Sequence, residues 1–425
     1  MYSGVSLDQA PPEDIPVRFF LSAPVFGILA GLLILFAGQD LFVSNWSVET
    51  IALTHLFTLG WLAMIMMGSF YQMVPVLVGG TVPLIGASRV VHAGFTLGVS
   101  LIVPGIYLLN ETLIATASAL LLISLLFFVV QISIALFKVK GDRPTVVAMR
   151  ISIAAFLVTV LLGTYFSGGH ASLWDLPDNR IGMTASHLVL GLFGWVGSLI
   201  MGVGFHVIPM FYMTPEFDKK KAYIILCLYG ISLIALPAAL LFESGTMFTL
   251  IAGAPGAFSL IAFSFMLFSL VGKRKRKISD TTLSAWKAAL ALLPLSLLAF
   301  IFIPIVEHEV VLFVFGILFI LGFGLTVTTG MLYKILPFLI WFHRFSLLIG
   351  KVKVPLMRDI SSDKLAARQL HVFHASLVIL LAGIVGEVGI VIRFGGLAFA
   401  CSSFMLLLNL LKMVGMKAPE LPSTL

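Results

Sequence analysis

The chain has 425 residues, of which 60% are hydrophobic and 11% charged; its mean hydropathy is +1.11 and its net charge +7. So few charged groups cannot cover a globule in water. A soluble domain is therefore excluded, and recurrent apolar runs of about 18 residues or more mark a polytopic helical membrane protein. The surplus of Lys and Arg falls in loops, where it reads as membrane topology and leaves no nucleic-acid partner to expect.

The N-terminal stretch "MYSGVSLDQAPPEDIPVRFF" carries neither a basic n-region nor a small-residue cleavage site, so no signal peptide is expected. Residues 1–18 read as a tail. Twelve spans follow, at 19–41, 49–78, 88–109, 112–137, 145–167, 182–213, 221–242, 246–272, 283–305, 309–341, 370–392 and 394–415, each of roughly the 20 residues or more that a bilayer core requires. A loop at 342–368 and a tail at 416–425 complete one transmembrane domain, 1–425. The only cysteines, Cys227 and Cys401, lie inside apolar runs. This excludes a disulfide framework, a cysteine-ligated cluster and covalent haem attachment.

The loops sort by charge. One side receives Arg89; Lys138, Lys140 and Arg143; Lys219, Lys220 and Lys221; "KRKRK" at 273–277; and Arg344, Lys351, Lys353, Arg358, Lys364 and Arg368. The other receives Glu111, Asp175, Asp178, Glu243, Glu307 and Glu309, with Arg180 an exception. The positive-inside rule then puts both termini in the cytoplasm of a bacterial-type inner membrane. Glu387 is the one acidic residue expected well inside a span.

The second span recurs. Gly60, Gly68, Tyr71 and Pro75 match Gly194, Gly202, Phe205 and Pro209 in the sixth, 134 residues on. They match Gly322, Gly330, Tyr333 and Pro337 in the tenth, 262 residues on, and Trp61 meets Trp195 and Phe323. "HAGF" at His92 weakly echoes "HASL" at His374. The unit is four helices used three times, as arcs of spans 3–6, 7–10 and 11–12–1–2. The glycines permit close approach of a backbone or a flat cofactor, and each proline bends the helix near its inner end. Tyr71, Gln72, Tyr333 and Lys334 take corresponding places there; Lys334 is expected to snorkel to the interface. Met64, Met66, Met67, Met73 and Met201 read as core filling.

This architecture, all-α with twelve helices in three pseudo-symmetric four-helix arcs, resembles subunit I of the haem-copper oxidases and their smaller NnrS-type haem-and-copper relatives. The resemblance covers the chain in topology and is local in sequence. It departs from the oxidases where their high-spin haem and copper are held. His187 is followed by Gly191 where the family has a tyrosine, 221–242 contains no histidine, and Phe315 and Ile317 stand where the family has His-x-His. Dioxygen reduction by the family mechanism is not expected.

Nine histidines occur. His55 and His187 fall one to two turns inside the outer face. They lie 20 and 22 residues before their prolines, and a two-residue offset is about 200° of helix rotation. Following the family's use of such an offset, the two imidazoles face each other between spans 2 and 6. There they would serve as axial ligands of a non-covalent, bis-histidine b-type haem, with Gly60 and Gly194 clearing room. Packed histidines bonded to carbonyls are the alternative.

Nearer the cytoplasmic face, His92, His206, His371 and His374 are candidates for copper, zinc or a second haem, or else interfacial groups. His170, His308 and His343 read as solvated. The expected function is electron transfer or response to nitric oxide or another diatomic gas, with a redox protein or small respiratory subunit as partner. Alternatives are a transporter or channel, and a non-catalytic subunit of a respiratory complex.

Overall fold

The computed structural model describes residues 10–141, 143–275, 280–306 and 308–419, and among these it is helical with no strand. Glu307 and the last two residues of the 273–277 basic run lie outside the described residues. Twelve helices are long and apolar enough to cross a membrane: Asp14–Phe42, Val48–Val78, Ile85–Tyr107, Glu111–Lys138, Pro144–His170, Arg180–Tyr212, Lys219–Leu241, Thr246–Gly272, Thr281–Val306, Glu309–Arg344, Asp363–Val385 and Gly389–Val414. They are numbered spans 1–12 below. The protein is an integral multi-pass membrane protein, and its lipid-facing surface carries side chains such as Phe36, Ile123, Ile234, Phe265 and Val378.

Several expected boundaries move. The first helix begins at Asp14, within the expected tail. The 342–368 loop is partly helical, because span 10 runs to Arg344, a short helix covers Met357–Ile360, and span 11 starts at Asp363. Span 11 also ends early, at Val385. Its first turns, "DKLAAR", are polar and so invisible to hydropathy, yet Ser362 caps them by accepting from the Leu365 amide. At the other end the chain turns over Gly386, Glu387 and Val388, with Glu387 at φ 53°. Glu387 is therefore a turn residue and not an intramembrane carboxylate.

Consecutive spans pack against one another along the whole chain, and span 12 packs on span 1. Spans 2, 6 and 10 are the longest, at 31, 33 and 36 residues, and the most buried. They meet one another: span 10 touches spans 2 and 6, and Phe70 of span 2 stacks on Trp195 of span 6 with ring centroids 5.4 Å apart. The remaining contacts repeat at intervals of four spans. Span 1 touches 3, 5 touches 7 and 9 touches 11; likewise 2 touches 4, 6 touches 8 and 10 touches 12.

Each central helix also contains a π-helical segment at the same place in its repeat: Leu56–Ala63, Val189–Gly197 and Ile317–Leu325. Ala63, Gly197 and Leu325 are equivalent positions. A π segment shifts the backbone hydrogen bonds and leaves carbonyls seeking donors. Neighbours supply them. Ser152 donates to the Trp195 carbonyl at 2.9 Å, and the Tyr229 hydroxyl to the Phe193 carbonyl at 2.7 Å. Within span 10, Thr326 donates to the Leu321 carbonyl. Ser152→Ala and Tyr229→Phe should each lower stability by about 1 kcal/mol, read as a lower unfolding midpoint in detergent; an unchanged midpoint in both would show that the segment needs no donor.

One face of the bundle is tied by charge. Arg344, ending span 10, pairs with Glu13, just before span 1, and donates to the carbonyls of Val414, which ends span 12, and of Met416 just beyond it. These three helix ends thus share one face, which also carries the basic loops. Arg393 works on the opposite face. Its guanidinium donates to the Leu35 and Phe36 carbonyls that end the first helix.

Lys334 reaches the residue that precedes span 9. Its ammonium meets Asp280 at 2.5 Å and lies 5.6 Å from the centre of the Tyr212 ring. Asp280 precedes span 9 and accepts from the Thr282 hydroxyl and the Leu283 amide. Burial works to raise the Asp280 pKa. Lys334 and these donors outweigh it, and the carboxyl is held below its ordinary value. A depressed carboxyl contributes stability above its ordinary pKa and loses it as pH falls through the lowered one. In Lys334→Met burial acts without the ammonium, so the folded-state pKa of Asp280 rises; the variant should be less stable than wild type at neutral pH and should lose less stability on acidification. Unfolding midpoints recorded from neutral pH down to about 3 would show this; superimposable curves for the two proteins would remove the pair from the account.

Candidate functional site

Span 2 brings His55 to the end of its first helical stretch, immediately before the π segment. The ring is half-buried, and Nδ1 lies 2.7 Å from the Ile51 carbonyl oxygen. A carbonyl only accepts, so Nδ1 carries the proton and Nε2 keeps its lone pair. That is how ligating histidines are oriented in metal proteins. Thr54, beside His55, and Thr58, in the π segment that follows, bond their hydroxyls back to the Thr50 and Thr54 carbonyls.

His187 occupies the matching stretch of span 6 and is also half-buried. It lies within electrostatic range of His55 and against the Thr159 backbone. Its Nδ1 is buried with no hydrogen-bond partner. Span 5 walls the site. A Cβ added at Gly163 would come 3.1 Å from the His187 ring, and the Phe166 ring stands edge-on to it with centroids 6.0 Å apart. Thr159, Gly163 and Phe166 carry no sequence signal that would have marked them, since hydropathy does not say which face of span 5 meets span 6.

The glycines face neighbouring spans. A Cβ on Gly60 would stand 2.7 Å from the Phe26 Cβ of span 1, and one on Gly194 would stand 2.6 Å from the Ala155 Cβ of span 5. At these contacts Gly60 and Gly194 admit the preceding span. Gly68 and Gly202 repeat the arrangement lower down, against Phe19 and Ala148.

Deeper in the bundle, aromatic rings fill the spaces between the central helices. Phe70, Phe128, Phe156 and Trp195 pack between spans 2 and 6. Phe193, Phe300, Phe315 and Phe319 pack between spans 6 and 10. Phe57, Trp61, Phe373 and Phe399 pack between spans 2, 11 and 12. The histidine pair lies outward of the first of these clusters, toward the acidic face.

The histidines of the basic face are not gathered. His92 of span 3 meets Ser22 of span 1 at 2.9 Å and the Phe19 ring edge-on. His206 of span 6 lies among Arg143 and Glu216. His371 and His374 share span 11, where His374 Nε2 is buried without a partner and packs beside Phe373. Among the described residues no three His, Cys, Asp or Glu side chains form a group able to hold a metal. Of the residues read as solvated, His308 accepts from the Val310 amide, whereas His343 is half-buried near Glu13 and Arg344.

The chain matches no protein-family model and no curated protein. Any functional conclusion therefore rests on the site itself.

Proposed function

We propose that this chain is a membrane haem protein of the haem-copper oxidase superfamily, with a b-type haem held between His55 and His187. It would serve electron transfer or diatomic gas response, not dioxygen reduction. The observation that carries the reading is the pair itself. Two imidazoles on facing central helices lie within electrostatic range; one has its Nδ1 proton tied down and the other has an orphaned buried nitrogen. An unpartnered polar atom inside a bundle costs free energy that a ligand or metal would offset.

The residues present fit such a group. His55 would offer Nε2, kept in orientation by the Ile51 carbonyl, and His187 would offer a ring nitrogen steadied by Phe166 and the Thr159 backbone. Phe166 and the aromatic cluster beneath would keep water from the site. A bound haem would supply one-electron redox chemistry. With both axial positions filled, electron transfer or sensing is favoured over turnover. The three-fold recurrence of helix contacts and π segments supports the superfamily reading, in three four-helix arcs. The partner would be a redox protein or a small respiratory subunit, and the basic face would lie in the cytoplasm.

Aromatic filling between spans 2 and 6, between spans 6 and 10, and of span 2 against spans 11 and 12 favours one alternative, a non-catalytic subunit, over a channel. A pyridine haemochrome assay on the purified protein, with metal analysis, separates the readings. Stoichiometric b-type haem is expected; a stable, monodisperse protein with none would overturn the haem proposal.

A further inference from the structure

We propose that the basic face carries a phosphate-binding site, formed where spans 10, 11 and 12 meet beneath the short helix Met357–Ile360, and suited to the headgroup of an anionic phospholipid. A cavity of about 270 Å³ opens there. Arg358 and Lys412 lie on its rim, Ser361 and Ser362 line one side, and Tyr333 and Asn409 form its floor. Asp359 also lines it. One Asp359 oxygen accepts from the Leu356 amide, and the other lies 3.8 Å from the Arg358 guanidinium.

The floor is a polar network inside an apolar bundle. Asn409 donates from its amide to the Tyr333 hydroxyl at 2.9 Å, and Gln369 donates to Ser402 at 2.8 Å. The first repeat shows what such a floor takes. There Tyr71 of span 2 donates to the Gln131 side chain of span 4, at the place Tyr333 and Asn409 hold between spans 10 and 12. The Gln131 amide then donates to two backbone oxygens, the Pro83 and Leu84 carbonyls of the link between spans 2 and 3. That link closes over the tyrosine–amide pair. In the middle repeat the place is apolar, with Phe205 against Phe263. The third repeat keeps the tyrosine–amide pair but has an open cavity above it, with two cations at the rim. Oxygen atoms carrying negative charge suit both the amide donors and the cations. A phosphate offers several acceptor oxygens and one charge or more.

The cavity sits at the ends of membrane spans, where lipid headgroups lie, so a phospholipid is the expected source; inorganic phosphate is the soluble one. The test uses the full-length protein in detergent. Binding of phosphatidylglycerol and of phosphatidylcholine is followed by native mass spectrometry, and the unfolding midpoint is measured with each lipid and with inorganic phosphate. Wild type should retain phosphatidylglycerol preferentially. The Arg358→Gln/Lys412→Gln double variant should bind it roughly tenfold or more weakly, given the worth of two cations at a lipid surface. Lys364→Gln, an exposed charge outside the cavity, should bind as wild type. Stabilisation by inorganic phosphate that the double variant loses would support the site with a soluble source. Equal binding by wild type and the double variant, or equal loss in Lys364→Gln, would overturn the proposal.

Discussion

His55→Ala and His187→Ala are each expected to weaken haem binding by about a hundredfold or more, since even the supporting partners of a metal ligand are worth 10–100-fold. The purified variants should lose most of the b-type absorbance seen in reduced-minus-oxidised spectra of the wild type. Their unfolding midpoints without haem should stay close to the wild-type value, because both rings are half-buried and the bond lost at His55, to the Ile51 carbonyl of its own helix, is worth about 1 kcal/mol. Whatever haem is retained should bind carbon monoxide, because one axial position is vacated; the wild type should not. His374→Ala is the control. It also carries an unpartnered ring nitrogen, but on span 11, beside Phe373. Its spectrum should match the wild type. Unaltered bands in either outer variant would mean that the axial pair is misassigned. Loss in His374→Ala alone would move the haem to the basic face.

The second large effect concerns packing. Gly60→Leu and Gly194→Leu should prevent accumulation of monodisperse protein, whereas Gly322→Leu should be recovered folded with a lowered unfolding midpoint. The three positions are equivalent in the repeat but not in what they touch. Added side chains at Gly60 and Gly194 would meet the Cβ atoms of Phe26 and Ala155, at 2.7 and 2.6 Å. Those atoms move only with the backbone of the neighbouring helix. At Gly322 the nearest atom is the Cδ1 of Leu292, at 3.2 Å, the free end of a flexible side chain. Overpacking a rigid contact costs about 1–3 kcal/mol even for added methylenes, and a rotatable side chain absorbs part of that. A uniform loss at all three positions would show that the glycines serve the helix interior instead of its neighbour. Retained folding at Gly194 would show that span 5 can withdraw.

The span-2 pattern was visible in sequence because it depends on residues that recur in one chain at fixed intervals. Gly68, Gly202 and Gly330 each stand 8 residues, and Pro75, Pro209 and Pro337 each 15 residues, beyond Gly60, Gly194 and Gly322, whatever surrounds them. Which body enters the gap is a long-range matter, and Phe26 and Ala155 take that place. The same limit applies at the histidines. The two-residue offset of His55 and His187 could be read as a rotation around a helix, but the span-5 wall of Thr159, Gly163 and Phe166 could not. For the basic-face histidines even the offset was lacking. Their depth was legible, their neighbours were not, and the fold sends His92 to span 1 and His206 toward Arg143. Glu387 and the start of span 11 failed for a local reason. Hydropathy registers apolar length, so it passed over a polar first turn capped by Ser362 and ran on through a turn whose flanks are apolar.

Twelve membrane helices could be read from the chain alone, because transfer of about 20 apolar residues from water to lipid dominates every other term and is a property of each segment taken singly. The chain also determined the three-copy register, because repetition is written along it. Which helix fills each glycine gap, and that Lys334 pairs with Asp280, was settled by tertiary packing. It alone decided that one tyrosine–amide floor is closed by carbonyls while its counterpart lies open beneath two cations. Those outcomes depend on which faces of distant helices come together, and pairings of that kind leave no period in a single sequence.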